Sequence, residues 1–192
     1  CTGKVVLIRY ADDFIIGCAR ADDAARIMRA LPQRFAKYGL ELNTEKSRLV
    51  NFARPRRGPG GPPDGGKPGT FSFLGFVYYW GKTFRGGYTI KRKTEGKRIA
   101  RTCSSFWQWC RDHRHDSLAD QHQTLCAKLR GYYQYFGVRC NSACLDVVYD
   151  AVKRAWRYWL RRRGDRKLDW KKFEALLSDY PLPPPRIMVP WV

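Results

Sequence analysis

The spacing of apolar positions changes once along this chain, and the change divides it. Over residues 1–93 apolar residues come in short continuous runs, the first two being Val5 to Arg9 and Phe14 to Cys18, separated by Tyr10-Ala11-Asp12-Asp13. Two such runs joined by a short break predict a β-hairpin, and runs apolar on both faces predict that it is buried in a sheet. A helix is expected to follow from an N-cap at Asp22, with Ile27, Leu31, Phe35 and Tyr38 on its apolar face. Pro32 should kink or end that helix early, and Gly39 should close it. Leu40 to Asn43 leads toward a further strand over Arg48–Phe52. Phe71–Trp80 reads as one strand, with Tyr88–Lys91 returning beside it through a turn near Gly86-Gly87. Between them, residues 53–70 are rich in Gly and Pro with no large apolar residue, the pattern of a flexible loop. Its Arg54, Arg56, Arg57 and Lys67 are expected to be solvated linker charge, with phosphate contact as the alternative.

From Glu95 the period becomes helical. Ile99, Cys103, Phe106, Cys110 and His113 recur at spacings of three and four. Leu118, Leu125, Leu129, Tyr132, Tyr133 and Phe136 predict a second helix ending at Gly137. Leu145, Val148, Tyr149, Val152, Trp156, Trp159 and Leu160 predict a third, from a cap near Asn141 to Gly164. A fourth should start at the cap Asp169 and carry Trp170, Phe173 and Leu177. The fold class is therefore α+β: an antiparallel hairpin and helix with further strands over residues 1–93, then a basic helical bundle over 94–192.

Composition adds a partner to this picture. The 192 residues include 37 Lys and Arg against 17 Asp and Glu, a net charge of +20. The excess is spread along the chain, +8 over residues 1–90 and +12 over 91–192. An aromatic content of 15% excludes a disordered basic tail, so a folded protein facing a polyanion is the natural inference. No run of 18 apolar residues is present, which excludes a membrane-spanning helix, and neither a secretory leader nor a prenylation motif is visible. Seven cysteines, an odd number with no CxxC, are expected to be reduced, in a cytoplasmic setting. Cys110 with His113 and His115, or Cys140 with Cys144, could in principle hold zinc. Cys103 and Cys110 lie on an apolar stripe, however, where cysteine acts as a small hydrophobe.

Asp12 and Asp13 are the candidate chemistry. Adjacent carboxylates repel and cost stability unless a cation neutralises them, and hard oxygen ligands suit Mg²⁺, which binds through one or two carboxylates together with substrate phosphates. Two such ions about 4 Å apart support nucleotidyl transfer. An Asp pair is also common at simple turns. A second pair, Asp22-Asp23, reads as a helix start interacting with the helix dipole.

The string Ile8-Arg9-Tyr10-Ala11-Asp12-Asp13-Phe14 closely resembles the YADD palm motif of reverse transcriptases. It is followed by Gly39-Leu40-Glu41-Leu42-Asn43-Thr44-Glu45-Lys46-Ser47 and by Phe73-Leu74-Gly75-Phe76, which resemble successive palm motifs of the group II intron and retron-like branch. Leu129 to Gly137 and Tyr180 to Ile187 resemble the thumb/maturase region of group II intron-encoded proteins. The resemblance covers almost the whole chain. It implies that Asp12 and Asp13 are catalytic, metal-binding aspartates of a two-Mg²⁺ site, with Tyr10 and Ala11 bordering the primer end and nucleotide. It further places Lys46 near the incoming triphosphate and Leu74-Gly75-Phe76 beside the primer backbone. Glycine at position 75 would also permit close backbone approach on physical grounds. The implied partners are RNA template, DNA primer, dNTP and group II intron RNA, with intron splicing assisted by the helical domain and no membrane involved.

On physical grounds the third helix also suits RNA. Lys153, Arg154, Arg157, Arg161, Arg162 and Arg163 surround Trp156, Tyr158 and Trp159, and Arg130 lies in the preceding helix. Trp156 and Trp159 continue the apolar stripe and are expected in the core; the arginines either contact RNA or merely solvate the opposite face, and Lys171 and Lys172 extend the same surface. The family's third metal-binding Asp precedes the YADD hairpin, so the chain is expected to be the C-terminal part of a longer reverse transcriptase, inactive alone and without an endonuclease domain. A non-catalytic maturase, a decaying remnant and a retron or defence-type enzyme are the alternatives.

Overall fold

The computed structural model describes residues 1–43, 45–55, 68–164 and 168–189. Arg56, Arg57 and Lys67 of the Gly/Pro loop, and Thr44, lie outside them. The architecture is α+β, as the two periodicities require, with two small antiparallel sheets and five helices among the described residues. The chain divides into two compact units, residues 1–74 with 78–90, and 75–77 with 91–192.

In the first unit, β1 (Val5–Tyr10) and β2 (Asp13–Cys18) form a hairpin whose register runs from Val5 opposite Cys18 to Tyr10 opposite Asp13. Helix α1 (Ala21–Ala36) packs on β2, with Phe14 and Phe35 edge to face at 5.9 Å. The expectation of a buried hairpin is overturned. Every residue of β1 is exposed, Leu7 by 62% and Ile8 by 54%, because α1 covers β2 and no described element covers β1.

Helix α1 starts one residue before the expected cap. Arg20 holds the N-cap position without a side-chain bond, and Asp22 and Asp23 fall in the first turn, where acidic groups oppose the helix dipole favourably. Asp23 does more than that. It is buried, and its carboxylate accepts N–H bonds from Gly3 at 2.8 Å and Thr2 at 3.1 Å, which lowers its pKa. Pro32 neither breaks the helix nor ends it early. Gly39, at φ +66°, does close it: the Leu40 N–H returns to the Phe35 carbonyl and the Gly39 N–H to that of Ala36.

No strand forms over Arg48–Phe52. Phe52 instead joins an aromatic cluster, 4.9 Å from Phe71 and 5.6 Å from Trp80, whose indole N–H donates to the Phe52 carbonyl. Arg54 belongs to the same packing and is not linker charge. Its guanidinium lies over Trp80 and donates to the Tyr88 carbonyl. The expected single strand over Phe71–Trp80 is two strands, β3 (Phe71–Phe73) and β4 (Phe76–Lys82), separated by Leu74 at φ +51° and Gly75 at φ +77°. Two consecutive left-handed residues make a tight hairpin turn, so Gly75 supplies a turn. β5 (Tyr88–Thr94) completes the sheet in the order β3-β4-β5.

The second unit is a helical bundle of α2 (Gly96–Asp112), α3 (Leu118–Phe136), α4 (Ser142–Arg162) and α5 (Trp170–Asp179). The boundaries follow the sequence signals. Ser117 caps α3 by accepting the Asp120 N–H, Gly137 ends it, and Asp169 caps α5 through the Lys172 N–H. The core gathers Phe106, Leu125, Leu129, Leu145, Val148, Val152, Trp156, Leu160 and Phe173 from all four helices. Trp156 is wholly buried and donates to Gln121 Oε1 at 2.8 Å, while Trp159 is partly buried against the core, as its stripe predicts. Cys110 sits in this core, where burial pushes its thiol up to about 12, in keeping with the small-hydrophobe reading. His113 is committed elsewhere, stacked on Trp109 at 4.6 Å with Nδ1 on the Trp109 carbonyl. All seven cysteines are free. No helix among the described residues is long and apolar enough to cross a membrane.

Candidate functional site

In the first unit the pairing of Tyr10 with Asp13 leaves Ala11 and Asp12 as a two-residue hairpin loop. Such loops demand a left-handed first residue, and Ala11 takes φ +51° despite its Cβ. Arg9, which carried no signal in the sequence, steadies this strain: its Nε donates to the Ala11 carbonyl at 2.7 Å. The aspartates thus stand in different settings, Asp12 in the loop and Asp13 as the first residue of β2. Side chains alternate across the pleat, so Asp13 shares a face with Tyr10, Ile8 and Ile15 and lies opposite the face on which Phe14 meets α1. Asp12, Asp13, Tyr10 and Ala11 are all exposed.

This arrangement offers two carboxylates on one tight turn, with an uncovered face beside them. The donor set is of the hard-oxygen kind that Mg²⁺ takes, but it is partial: among the described residues no group of three or more His, Cys, Asp or Glu gathers anywhere. Lys46 is exposed on a turn, its own N–H accepted by Asn43 Oδ1, and no ion pair joins it to Asp12 or Asp13 among the described residues. Gly75 belongs to the helical unit, where its carbonyl accepts the Glu95 N–H.

In the second unit the basic residues of α4 separate into two groups. Arg157 is half-buried, with its guanidinium 4.2 Å from the Trp170 ring centre and Nη1 on the Leu168 carbonyl, so it fastens the start of α5 to α4. Lys153 pairs with Asp150 at 2.9 Å and lies over Tyr149. Arg163 donates to the Asp116 carbonyl at 2.8 Å, tying the end of α4 to the turn before α3. Arg130, Arg154, Arg161 and Arg162 present exposed guanidinium groups, and Lys171 and Lys172 are exposed on α5. Tyr158, Arg161, Arg162, Arg163 and Gly164 line a cleft of about 710 Å³. Beside it, Trp107 of α2 stacks obliquely on Tyr158 at 4.7 Å and meets Trp159 at 5.6 Å. Sequence reasoning passed over Trp107. Its signal was an aromatic four residues after Cys103 and three before Cys110, at the edge of the Ile99-Cys103-Phe106-Cys110 stripe.

Residues 1–78 match the family described as reverse transcriptase (RNA-dependent DNA polymerase), a match that takes in the hairpin, α1, β3 and the start of β4. The matched region is thus similar to reverse transcriptases, a family of RNA-directed DNA polymerases that copy a nucleic-acid template from dNTPs using divalent metal. No curated protein matches the chain.

Proposed function

We propose that this chain is the C-terminal part of a group II intron-encoded reverse transcriptase and maturase. Residues 1–93 serve as the second half of the palm and 94–192 as a thumb/maturase domain that binds intron RNA and assists splicing. Asp12 and Asp13 hold Mg²⁺, with Tyr10 and Ala11 at the primer end and Lys46 and Gly75 as further substrate contacts. The single observation that carries this reading is the hairpin tip. Two exposed carboxylates sit on a left-handed alanine turn, within the stretch that matches the reverse-transcriptase family, at the end of a strand left uncovered along its length. On this reading two carboxylates on one turn do not complete a two-metal site, so the chain by itself does not polymerise, while its basic helical domain binds RNA.

Primer extension on poly(rA)/oligo(dT) with Mg²⁺, run beside intron-RNA binding, tests this. The expected result is no extension product, together with RNA binding that weakens steeply with salt and survives Asp12→Asn. Product abolished by Asp12→Asn would overturn the inactivity of the isolated chain. Loss of RNA binding would overturn the maturase assignment.

A further inference from the structure

In the helical unit, Tyr158 has two flat groups against its ring. Trp107 lies 4.7 Å from Tyr158 with rings tilted by 37°, and the Arg162 guanidinium lies 4.7 Å from the Tyr158 ring centre. Both of these partners reach solvent, Trp107 with 40% of its surface exposed and Arg162 as an exposed side chain. On the Arg162 side, Arg161 and Arg163 line the 710 Å³ cleft with Tyr158. On the Trp107 side a second cleft, of about 420 Å³, is lined by Ser104, Gln108 and Arg154 together with Cys103, Trp107 and Ala151. Both clefts therefore place cations of α4 beside the aromatic pair, where α2 and α4 pack together.

An exposed tryptophan in a cationic groove is costly for solubility and contributes little to the core. Its chemistry suits one occupant. A polyanion whose repeating unit is a flat ring spaced between phosphates would place a base against Trp107 and phosphates on Arg154 and Arg162. Duplexes hide their base faces within the stack, so only unpaired nucleotides present them. We propose that Trp107, Tyr158 and Arg162, flanked by Arg154, form a stacking platform for unpaired RNA nucleotides. This rests on the RNA-binding reading of the helical unit and adds to it that the contact at α2 and α4 is with single-stranded RNA.

The test uses the full chain and two fluorescent RNAs of equal length, a twelve-nucleotide oligo(U) and a twelve-base-pair RNA duplex, with affinities read by anisotropy. Trp107→Ala is expected to weaken oligo(U) binding about tenfold and to change duplex binding less than twofold, while Trp107→Phe retains most of the affinity. Arg162→Gln, at an exposed position, is expected to reduce the salt slope on oligo(U) by about 0.7. Trp107→Ala protein that keeps its helical circular dichroism but binds oligo(U) like wild type, or loses both RNAs equally, overturns the platform. If Trp107→Ala does not fold, an unchanged salt slope in Arg162→Gln overturns it. Wild-type protein that binds neither RNA removes the RNA-binding reading itself, whereas wild type that binds duplex but not oligo(U) removes only the platform.

Discussion

The side chain of Asn141 holds Thr94 from two sides: its Oδ1 accepts the Thr94 N–H at 2.7 Å, and its Nδ2 donates to Thr94 Oγ1 at 2.7 Å. The same Nδ2 donates to the Phe136 carbonyl, and both residues are buried. Asn141 is the N-cap residue of α4 by position, yet its side chain makes no cap bond. It has been diverted to join the end of β5, the end of α3 and the start of α4. Asn141→Ala leaves the buried Thr94 N–H without its acceptor, while the Phe136 carbonyl keeps the Val138 N–H, and should cost about 2 kcal/mol, whereas Thr94→Val, which removes only the hydroxyl, should cost about 1 kcal/mol. Urea unfolding followed by helical circular dichroism measures both, and equal costs would remove the network as the cause.

Gly137 is the second fixed point of the helical unit. A Cβ there would collide with the Tyr133 carbonyl oxygen and come within 2.6 Å of that of Arg186, while the Gly137 carbonyl receives the N–H groups of Met188 and Val189. Gly137→Ala should therefore destabilise by about 2 kcal/mol and release the C-terminal segment. Limited proteolysis of the variant should cut after Arg186 sooner than in wild type, and an unchanged cleavage rate would show that the backbone can absorb the methyl group.

What the sequence made legible depended on whether a residue type has one local use or several. Gly137 and Asp169 terminate helices for reasons contained within a single turn of chain, and the end of α3 and the start of α5 follow from them. The Ala11-Asp12 loop was readable for the same reason. The turn at Gly75 was not, since a glycine within an apolar run does not announce its own φ. Its φ of +77° beside Leu74 at +51° splits the expected single strand in two. Phe52 and Arg48 suggested a strand by composition, but a run of five residues buries its aromatic as well in a cluster with Phe71 and Trp80 as in a sheet. The basic face of α4 was visible as charge. Which cations are spoken for was not, because Arg157 is fixed by Trp170 and Leu168, and Arg163 by Asp116, through contacts that only the fold creates.

Asp23 gives the first unit an acid-sensitive latch. The N–H of Gly3 and then that of Thr2 favour its charged form, and the pKa is lowered from 3.8. A carboxylate with a depressed folded-state pKa stabilises fully above its unfolded value and loses that contribution as pH falls through the folded value. The attachment of residues 2 and 3 to α1 should thus be intact at pH 5 and above and be lost only in acid below about pH 4. The Thr2 and Gly3 amide resonances, followed by NMR down that range, should shift together. In Asp23→Asn the transition should be absent and both amides should exchange faster at pH 6.

Strand β1 exposes Leu7, Ile8 and Val6 together, and among the described residues it pairs on one edge only. A flat apolar strand with an open edge is a template for association. The chain alone should form higher-order species as its concentration rises, visible by light scattering. Leu7→Lys or Ile8→Thr should shift that onset to severalfold higher concentration without loss of helical signal. If association persists unchanged in both variants, it does not run through β1.

The last expectation concerns the two aspartates themselves. Structural carboxylates are held by partners and cost stability when removed, whereas carboxylates placed for a cation stand exposed near one another and repel. Asp12 and Asp13 are adjacent and exposed, and no ion pair reaches either among the described residues. The nearby Arg9 donates its Nε to the Ala11 carbonyl and forms no ion pair with either aspartate among the described residues. Asp12→Asn should accordingly leave stability within about 0.5 kcal/mol of wild type, in the stabilising direction, and the difference should shrink when Mg²⁺ is raised. Arg9→Gln, by contrast, releases the strained alanine and should loosen the hairpin, read as faster amide exchange at Asp12 and Asp13. If Asp12→Asn instead destabilised by more than about 1 kcal/mol in metal-free buffer, the carboxylate would be a structural element of the turn, and its assignment to metal binding would lose its physical basis.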